Sequence, residues 1–317
     1  MKKFLSKPYR WAAVFAVLLT FSFVFVLLDT FVIPKNVTEV KQREAAETAE
    51  QQNTASEQQS AAEDPSEFGS ETEAAVTDHS YQDKNIKITI DTVQAYDTTF
   101  YVADIRLSDA SYLKTALAEN SFGRNLKETT SDMAEEHQAI FAVNGDYYGF
   151  RNNGYVLRNG VLYRDTARQA GNDEALVIDD HGDFSIINEN AVSADCLTNP
   201  WQVLSFGPAL IKNGEIVVDS TSEVSQSKNS NPRTAIAQVS GLHYIVIVSD
   251  GRTEESAGLS LLELAQEFAE RGCTIAYNLD GGGSSTMYFN GEIVNHPTDG
   301  RSSRQREVSD IVYIGNE

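Results

Sequence analysis

A long apolar run near the N-terminus limits most strongly how this chain can fold. No charged residue lies between Trp11 and Leu28, and apolar residues continue to Ile33, just before Pro34. At about 1.5 Å per helical residue, such a run spans roughly 27 to 35 Å, enough to cross a bilayer. The run therefore predicts a transmembrane helix at residues 11–33, followed by a separate water-soluble part of the chain.

Flanking charges predict the orientation of this helix. Residues 1–10 carry four basic side chains, whereas the segment after Pro34 is rich in acids. The positive-inside rule then places residues 1–10 in the cytoplasm and everything after Pro34 outside the cell membrane. A cleaved signal peptide is the alternative, but its apolar core is usually about 7 to 15 residues long and ends at a small-x-small site. Leu28-Asp29-Thr30-Phe31 is a poor cleavage site, which favours a retained single-pass anchor.

Composition divides the rest of the chain into a linker and a domain. Residues 34–84 are rich in Glu, Gln, Ala, Ser and Thr, with 4 basic and 12 acidic residues, which is typical of a flexible, disordered linker. Residues 85–317 carry 17 basic and 33 acidic residues, a net charge of −16, and predict one globular domain. So acidic a domain lacks the basic surface that nucleic-acid binding needs. Cys196 and Cys273 either form one disulfide or remain two thiols.

Residues 85–317 alternate between short β-rich runs and turn dipeptides. This texture predicts an α+β fold, with a mixed β-sheet built from hairpins and a few packed helices. Asn-Gly dipeptides favour type I′ turns and predict three hairpins, around Asn159-Gly160, Asn213-Gly214 and Asn290-Gly291. A continuous β-branched run from His243 to Val248 predicts a central strand that is buried on both faces.

Two helices are predicted within this domain. Ser260 and Glu263 fit a capping box for a helix from Leu261 to Arg271, and Gly272 fits its C-terminal stop. A more polar helix is predicted from about Thr129 to His137. Further strands are predicted at Ile86–Ile90, Phe100–Leu107, Ala139–Val143 and Thr274–Leu279.

The stretch after the last of these strands is the most unusual in the chain. It reads Asn278-Leu279-Asp280, then Gly281, Gly282 and Gly283, then Ser284-Ser285-Thr286. Three glycines in a row lose much conformational entropy on folding. They suit a backbone that approaches a ligand closely and points several amides at it, as in an anion-binding nest. The alternative is a flexible turn between two strands.

A second candidate stretch also follows an apolar strand and runs from Asn144 to Phe150. Asp146 within it suits an acid, a base or a metal ligand, while Tyr147, Tyr148 and Phe150 could stack on the face of a sugar. A β-turn with core aromatic residues is the alternative. The stretch therefore predicts a site only in combination with others.

Three further stretches carry arginines. Arg233, in Asn231-Pro-Arg-Thr-Ala235, could present a bidentate fork to a phosphate, although a lone arginine is more often a surface charge. Asp250 and Arg252 emerge together at the end of a predicted buried strand. The polar loop from His296 to Arg304 is expected to be structural, except for Arg304 itself.

Other familiar sites lack support in the sequence. There is no Gly-x-Ser-x-Gly motif, the five histidines are scattered, and neither His nor Cys occurs with zinc-ligand spacing. The three-glycine stretch lacks the Gly-Lys-Ser/Thr element of a P-loop. Carboxylates, arginines and a glycine loop remain, and they suit an anionic, oxygen-rich substrate such as a sugar phosphate.

Taken in order, these stretches resemble the phosphodiester glycosidase family. The likeness spans roughly residues 85–315. The cysteine-rich appendages of animal members are absent from this sequence, which is typical of a bacterial, membrane-anchored member. The segments that carry the resemblance are Val143-Asn-Gly-Asp-Tyr-Tyr148, Ser205-Phe-Gly-Pro-Ala209, Asn231-Pro-Arg-Thr-Ala235, Ser249-Asp-Gly-Arg252, Asn278-Leu-Asp-Gly-Gly-Gly-Ser-Ser285 and Arg304 with Val308-Ser-Asp310.

The resemblance implies hydrolysis of a sugar-1-phosphodiester, with a sugar such as N-acetylglucosamine, to free sugar and a phosphomonoester. Breaking that bond calls for carboxylates around an oxocarbenium-like centre and for cations on the phosphate. Asp146 and Asp280 are the expected catalytic carboxylates, with Asp250 in reserve. The expected substrate and phosphate ligands are Asn144, Tyr147, Arg233, Thr234, Arg252, Asn278, Gly281, Gly282, Gly283, Ser284, Ser285 and Arg304.

Two alternatives stay open. The domain could be a non-catalytic module that binds anionic polysaccharide, or a phosphodiesterase that cleaves the P–O bond with Ca²⁺ or Mg²⁺ held by Asp146, Asp250 and Asp280. The sequence itself requires no cofactor. A membrane tether favours substrates of the cell envelope, such as phosphodiester-linked wall polymers, teichoic acids, capsular exopolysaccharides or lipid-linked sugars, over soluble metabolites.

Overall fold

The computed structural model describes residues 8–39, 74–168, 171, 173–222, 230–300 and 302–316. Its α-helices within these ranges are α1 (Pro8–Phe31), α2 (Thr130–Glu136) and α3 (Leu261–Glu270). Its strands are β1 (Lys35–Glu39), β2 (Ala75–Thr77), β3 (Ser80–Gln82), β4 (Ile86–Ala95), β5 (Thr98–Leu107), β6 (Leu113–Leu117), β7 (Ser121–Arg124), β8 (Phe141–Asn144), β9 (Val156–Arg158), β10 (Val161–Arg164), β11 (Glu174–Asp179), β12 (Phe184–Asn188), β13 (Pro200–Leu204), β14 (Ala209–Lys212), β15 (Glu215–Ile216), β16 (Thr234–Ser240), β17 (His243–Ser249), β18 (Ile275–Asn278), β19 (Met287–Phe289), β20 (Glu292–Ile293), β21 (Thr298–Asp299), β22 (Ser302–Ser303) and β23 (Asp310–Ile314).

Helix α1 is apolar along its whole length. Tyr9–Phe31 has a mean hydropathy of 2.6, and none of it is buried against the rest of the protein. This confirms the predicted N-terminal apolar helix. A helix of this length and composition near an N-terminus fits both a membrane span and a signal sequence.

The predicted linker contains more structure than its composition indicates. Strand β1 pairs with β7, and β2 and β3 extend the sheet that contains β4. Tyr81 in β3 is buried, with 8% of its surface exposed, although its neighbours are polar. Residues 40–73, which make up most of the predicted linker, and residues 1–7 of the basic tail lie outside the described ranges. The polar surroundings of Tyr81 explain why composition places the start of the ordered domain too late.

Three larger sheets form the body of the domain. A nine-stranded sheet has the order β15-β14-β18-β16-β17-β5-β4-β3-β2. Two five-stranded sheets have the orders β10-β9-β13-β11-β12 and β20-β19-β8-β23-β6. The predicted α+β class is confirmed, but a mixed sheet was expected. All pairings among the described strands are antiparallel, which follows from a chain that returns through hairpins and loops.

All three Asn-Gly hairpins are confirmed. Asn159, Asn213 and Asn290 have φ angles of 50°, 52° and 46°, and the glycine that follows each of them also has a positive φ. Two successive positive φ angles define the type I′ turn, whose twist matches that of the flanking strands. These local signals therefore fixed the register of β9 with β10, β14 with β15 and β19 with β20.

The two predicted helices and the central strand are confirmed as well. Ser260 and Glu263 form the capping box of α3, and Thr129 caps α2 by accepting a hydrogen bond from the amide of Asp132. Strand β17 lies between β16 and β5, and all seven of its residues are buried. The open question about the cysteines is resolved, because Cys196 is an exposed thiol and Cys273 a buried one.

The layers pack through three apolar clusters. The largest lies between the nine-stranded sheet and both five-stranded sheets, with Ile105 and Tyr244 opposite Phe141 and Leu176. Helix α3 covers the other face of the large sheet through residues such as Phe268. Helix α2 covers the outer face of the β8 sheet. The stack thus runs from α3 through two β-layers to α2, and the ends of β8 and β18 meet at one edge of it.

Candidate active site

Two strand ends from different sheets are tied together at this edge. Strand β8 ends at Asn144 and β18 ends at Asn278. The Asn144 side-chain amide donates to the backbone oxygen of Asp280 at 2.6 Å, and the Asp280 amide donates to the oxygen of Gly145 at 3.3 Å. Asn144 Oδ1 in turn accepts from the Thr234 hydroxyl at 2.8 Å. These buried bonds set the two following aspartates beside one cleft.

The cleft between these strand ends has a volume of about 320 Å³, within the range of small-molecule sites. Its walls carry three carboxylates, an arginine, a lysine and two aromatic rings. The lysine, Lys127, forms an ion pair with one of the carboxylates, Glu307, at 2.8 Å. The remaining two aspartates, the arginine and the rings suit a sugar with an attached phosphate. The lining residues are Lys127, Asp146, Tyr147, Phe150, Asp280, Ser284, Arg306, Glu307, Val308 and Ser309.

Asp146 is held rigidly in this wall. One carboxylate oxygen accepts from the Tyr148 amide at 3.0 Å. The other accepts from the Ser205 amide at 2.8 Å and lies 3.0 Å from Arg158 Nη2. Burial favours the neutral acid, but the Arg158 guanidinium and the Ser205 amide outweigh it and lower the pKa of Asp146. The side chain is therefore an ionised, fully hydrogen-bonded carboxylate.

Arg158 also contacts a second carboxylate behind the cleft wall. Its Nε and Nη2 donate to Asp310 Oδ2 at 3.0 and 2.7 Å, and both side chains are at most 2% exposed. Burial raises the pKa of Asp310 to about 8, with Arg158 acting against this shift and Asp146 adding to it. One guanidinium thus faces two carboxylates. At neutral pH the extra proton resides on Asp310 rather than on Asp146.

Asp280, across the cleft, has the opposite shift from Asp146. Burial raises its pKa, and the Ser284 hydroxyl, Arg306 and the Gly281 amide reduce the shift without reversing it. The Gly281 amide donates to Asp280 Oδ1 at 3.0 Å. The cleft therefore holds one carboxylate that stays ionised and another that binds a proton more readily than an ordinary aspartate.

The three glycines allow other residues of the protein to pack closely against the backbone of this loop. A Cβ on Gly281 would lie 3.0 Å from the Pro232 oxygen, and one on Gly282, where φ is 64°, would lie 2.7 Å from Arg252 Nη2. A Cβ on Gly283 would lie 2.6 Å from Arg306 Nη2. The Gly281 and Gly282 amides already donate to Asp280 and Pro232. The predicted amide nest is therefore not formed by these two residues, and the loop instead brings two arginines against its backbone.

Arg306 is the arginine within the cleft. Its Nε and Nη2 donate to Asp299 Oδ1 at 3.0 and 2.8 Å, which fixes the guanidinium beside Gly283. From the sequence, we expected Arg304 at this position instead. Arg304 is exposed and lies 3.5 Å from the other Asp299 oxygen, outside the cleft lining.

A stacked aromatic pair forms the rim. The rings of Tyr147 and Phe150 lie 4.8 Å apart with an interplanar angle of 23°, and Arg151 lies over the Tyr147 ring at 5.3 Å. Tyr147 is 36% exposed. Tyr148, which was expected to join them, is buried instead and stacks on Phe122 in the core.

Known proteins match this chain both in sequence and in fold. The family model of the phosphodiester glycosidases matches residues 137–315, more than half of the chain. This chain belongs to the phosphodiester glycosidase family. Among curated proteins, the prophage-derived protein YomE of Bacillus subtilis is 32% identical over 200 residues, which cover 61% of this chain and 30% of YomE. The human N-acetylglucosamine-1-phosphodiester alpha-N-acetylglucosaminidase is 28% identical over 207 residues, 59% of this chain and 40% of that enzyme.

The matches thus span less than half the length of these relatives. Two solved structures share the fold. The catalytic domain of the zebrafish N-acetylglucosamine-1-phosphodiester alpha-N-acetylglucosaminidase gives a TM-score of 0.58 at 19% identity, over 73% of this chain and 83% of that domain. A hypothetical protein from Synechocystis gives 0.55 at 16% identity, over 73% and 62%.

In this member of the family, the residues expected from the sequence differ in their distance from the cleft. Asp146, Tyr147, Asp280 and Ser284 line the cleft. Asn144 and Thr234 tie the strand ends together from behind, Asn278 donates to the Gly207 oxygen at 2.9 Å, and Ser285 is fully buried. These four position the loops. Arg252 is exposed beside Gly282, with its Nε 3.2 Å from Asn231 Oδ1.

Arg233 and Asp250 lie away from the cleft lining. Arg233 is 2% exposed, and its Nε donates to the Leu259 oxygen at 2.9 Å. Asp250 accepts from the His296 amide at 2.7 Å and lies 3.0 Å from His296 Nδ1. Sequence alone could not separate these residues from cleft residues, because every one of them follows or begins a buried strand.

The aspartates proposed for a metal ion do not converge. Within the described ranges, the ligand oxygens of Asp146, Asp250 and Asp280 do not lie within 4.8 Å of one another. Among the residues that the structure describes, the group that meets this criterion is Asp179, Asp180 and His181. It lies on a turn where Asp179 accepts from the amides of its own loop. The geometry therefore gives no support to the reading in which Asp146, Asp250 and Asp280 share one cation.

Proposed function

We propose that this protein is an extracytoplasmic hydrolase that cleaves the bond between the anomeric carbon of a sugar and a phosphodiester oxygen. Water supplies the new hydroxyl on the sugar, and the phosphate leaves as a monoester that takes up the remaining proton. The observation that carries the proposal is the pair of aspartates with opposite pKa shifts on one cleft. Such pairs separate proton transfer from charge stabilisation in glycoside hydrolysis.

The contacts of each aspartate suit a different role. Both Asp146 oxygens already accept hydrogen bonds, so this carboxylate suits electrostatic stabilisation of an oxocarbenium-like centre better than nucleophilic attack. Asp280 has a raised pKa and lines the cleft, which suit proton transfer at the reacting oxygen or at water. Arg306 would hold the phosphate, and the Tyr147–Phe150 pair would pack against the sugar ring.

The substrate class rests on the family and on the cleft. The names of the animal relatives specify an N-acetylglucosamine-1-phosphodiester. A sugar of that kind joined to a component of the cell envelope is the proposed substrate here. We also propose that α1 is retained as the membrane anchor, with residues 1–10 in the cytoplasm and the domain outside. Two hydrogen bonds from Asn125 to the end of α1 support retention, because cleavage would remove their acceptors.

Product analysis tests this proposal. The full chain is incubated with N-acetylglucosamine 1-(methyl phosphate), with and without a chelator, and the products are separated. In ¹⁸O-labelled water, free N-acetylglucosamine plus unlabelled methyl phosphate is the expected result, because cleavage of the sugar-side P–O bond would place the label in the phosphate. Sugar 1-phosphate plus methanol would indicate P–O cleavage, and unchanged substrate would indicate a binding module. Either of these outcomes overturns the proposal.

A further inference from the structure

The end of α1 is bound to the domain rather than separated from it. The Asn125 side-chain amide donates to the backbone oxygens of Thr30 and Ile33 at 3.2 and 2.9 Å. Carbonyls at a helix C-terminus lack partners within the helix, so these bonds satisfy groups that otherwise need water. Lys35 adds an ion pair of 2.5 Å to Asp29 on the last turn.

A strand continues this attachment immediately after the helix. Strand β1 begins at Lys35, and Thr38 pairs with Phe122 in β7. Only residues 32–34 separate α1 from β1. At up to about 3.5 Å per residue, the helix end and the domain surface lie within roughly 15 Å of each other. The chain segment that would form a long tether comes after this pairing, between β1 and β2.

The part of the domain that receives the helix also forms the cleft. The backbone amide of Asn125 donates to the Gly149 oxygen at 3.1 Å, and Gly149 directly precedes Phe150 of the aromatic rim. Lys127, two residues beyond Asn125, lines the cleft itself. A continuous path of hydrogen bonds and chain therefore joins the helix end to the cleft rim.

We infer that the cleft is held at the membrane surface and that its substrate is a glycosyl phosphodiester whose second ester partner is a membrane lipid. This inference rests on the proposed hydrolysis and specifies its substrate. The phosphate of such a lipid lies at headgroup level, where a cleft fixed beside the end of α1 meets it. The net charge of −16 on residues 85–317 offers no attraction to anionic headgroups, so the docking of the helix supplies the position.

An insertion experiment tests the inference in the full chain. About ten Gly and Ser residues between Ile33 and Pro34 add roughly 17 Å of flexible reach between helix and domain. The same insertion between Ala55 and Ser56 lies beyond β1 and is the matched control. Each protein is placed in liposomes that contain N-acetylglucosamine joined through one phosphate to a polyprenyl chain. The soluble methyl phosphodiester is measured in parallel.

The first insertion is expected to lower the rate on the lipid-linked substrate about tenfold, because effective concentration and orientation are lost. Its rate on the soluble diester should not change, and the control insertion should change neither rate. Equal rates on the lipid-linked substrate for both insertions and the parent would overturn the inference. If the parent protein itself does not hydrolyse the soluble diester, the result would instead count against the proposed function.

A second measurement tests the position without activity. A fluorophore is attached to Asn152→Cys, an exposed site whose Asn152 side chain accepts from Arg124 at the end of β7. His181→Cys is the control, because His181 is 76% exposed and adjoins Gly182, which accepts from Tyr244 near the far end of β17. Both variants carry Cys196→Ser. A nitroxide on the lipid headgroups should quench the label at 152 more strongly than that at 181. Equal quenching would contradict the docked arrangement.

Discussion

The two loops that carry Asp146 and Asp280 begin alike, but the two side chains differ in their contacts. Each strand ends in asparagine, and an aspartate follows two residues later, as Asn144-Gly145-Asp146 and Asn278-Leu279-Asp280. Asp146 has a guanidinium and two amides on its oxygens, and its pKa is lowered. Among the described residues Asp280 forms no ion pair, and burial raises its pKa. The same local motif thus acquires opposite pKa shifts from contacts made elsewhere in the chain.

Removal of the titrating proton at Asp280 should have the largest effect on turnover. Asp280→Asn keeps the shape and the bond from Gly281, but it cannot transfer a proton. We expect kcat to fall about 10³-fold, a typical contribution of a general acid or base, while the thermal unfolding midpoint changes little. Steady-state kinetics on the soluble diester measure the loss. Asp91→Asn, on the exposed side of β4, is the control. A variant with nearly unchanged turnover would remove Asp280 from the reaction.

Removal of the Arg158 guanidinium should leave Asp146, like Asp280, as a buried carboxylate without an ion-pair partner among the described residues. Arg158→Met leaves Asp146 and Asp310 buried without their shared partner, which should destabilise the protein by about 3 kcal/mol. Denaturant unfolding at pH 7 measures this free energy. Arg304→Met, at an exposed arginine, should stay within about 0.5 kcal/mol of the parent. If both substitutions have the same small effect, the Asp146–Arg158–Asp310 cluster does not contribute as its contacts indicate.

Local signals in the sequence predicted turns and helix ends. Contacts between residues far apart in the chain could not be predicted from it. The Asn-Gly turns and the capping box of α3 act within a few residues, so they could be read directly. Arg158 and Asp310 meet across 152 residues, and Arg158 next to a hairpin turn resembles an exposed end residue. Strands β11, β12 and β13 were likewise not singled out.

Arg306, the arginine within the cleft, could not be identified from the sequence either. Arg304 and Arg306 are two residues apart in one polar loop, and nothing in their neighbours distinguishes them. Only the bonds of Arg306 to Asp299, and the proximity of its guanidinium to Gly283, place it in the cleft. Both aspartates were predicted as catalytic residues. The difference between their pKa shifts could not be, since it depends on burial and on partners far along the chain.

Asp310, which shares Arg158 with Asp146, should make the stability of the protein depend on pH. In an unfolded chain an aspartate titrates near about 3.9, whereas in the folded protein the pKa of Asp310 is raised to about 8. The folded state therefore binds this proton more tightly, and stability contributed by Asp310 is present below about pH 4 and is lost as the pH rises towards 8. Asp310→Asn keeps an oxygen for Arg158 and removes the titration.

We expect the unfolding midpoint of Asp310→Asn, relative to the parent, to rise steadily between pH 5 and pH 8. Scanning fluorimetry of both proteins across that range measures the difference. Asp91→Asn serves again as control, and its difference from the parent should not follow the same course. A constant offset for Asp310→Asn across the range would mean that Asp310 does not hold the extra proton of the cluster.

The smallest effect is expected at the aromatic rim, which is formed by residues of the Asp146 loop. Tyr147→Ala removes one ring of the stacked pair and the surface beneath Arg151. Loss of one aromatic contact is worth about 1 kcal/mol, so KM should rise roughly fivefold while kcat changes little. Tyr96→Ala, at an exposed tyrosine in the turn between β4 and β5, is the matched control. Because ring stacking binds the sugar in the ground state as well as in the transition state, a fall in kcat without a rise in KM would instead show that Tyr147 acts on the loop of Asp146.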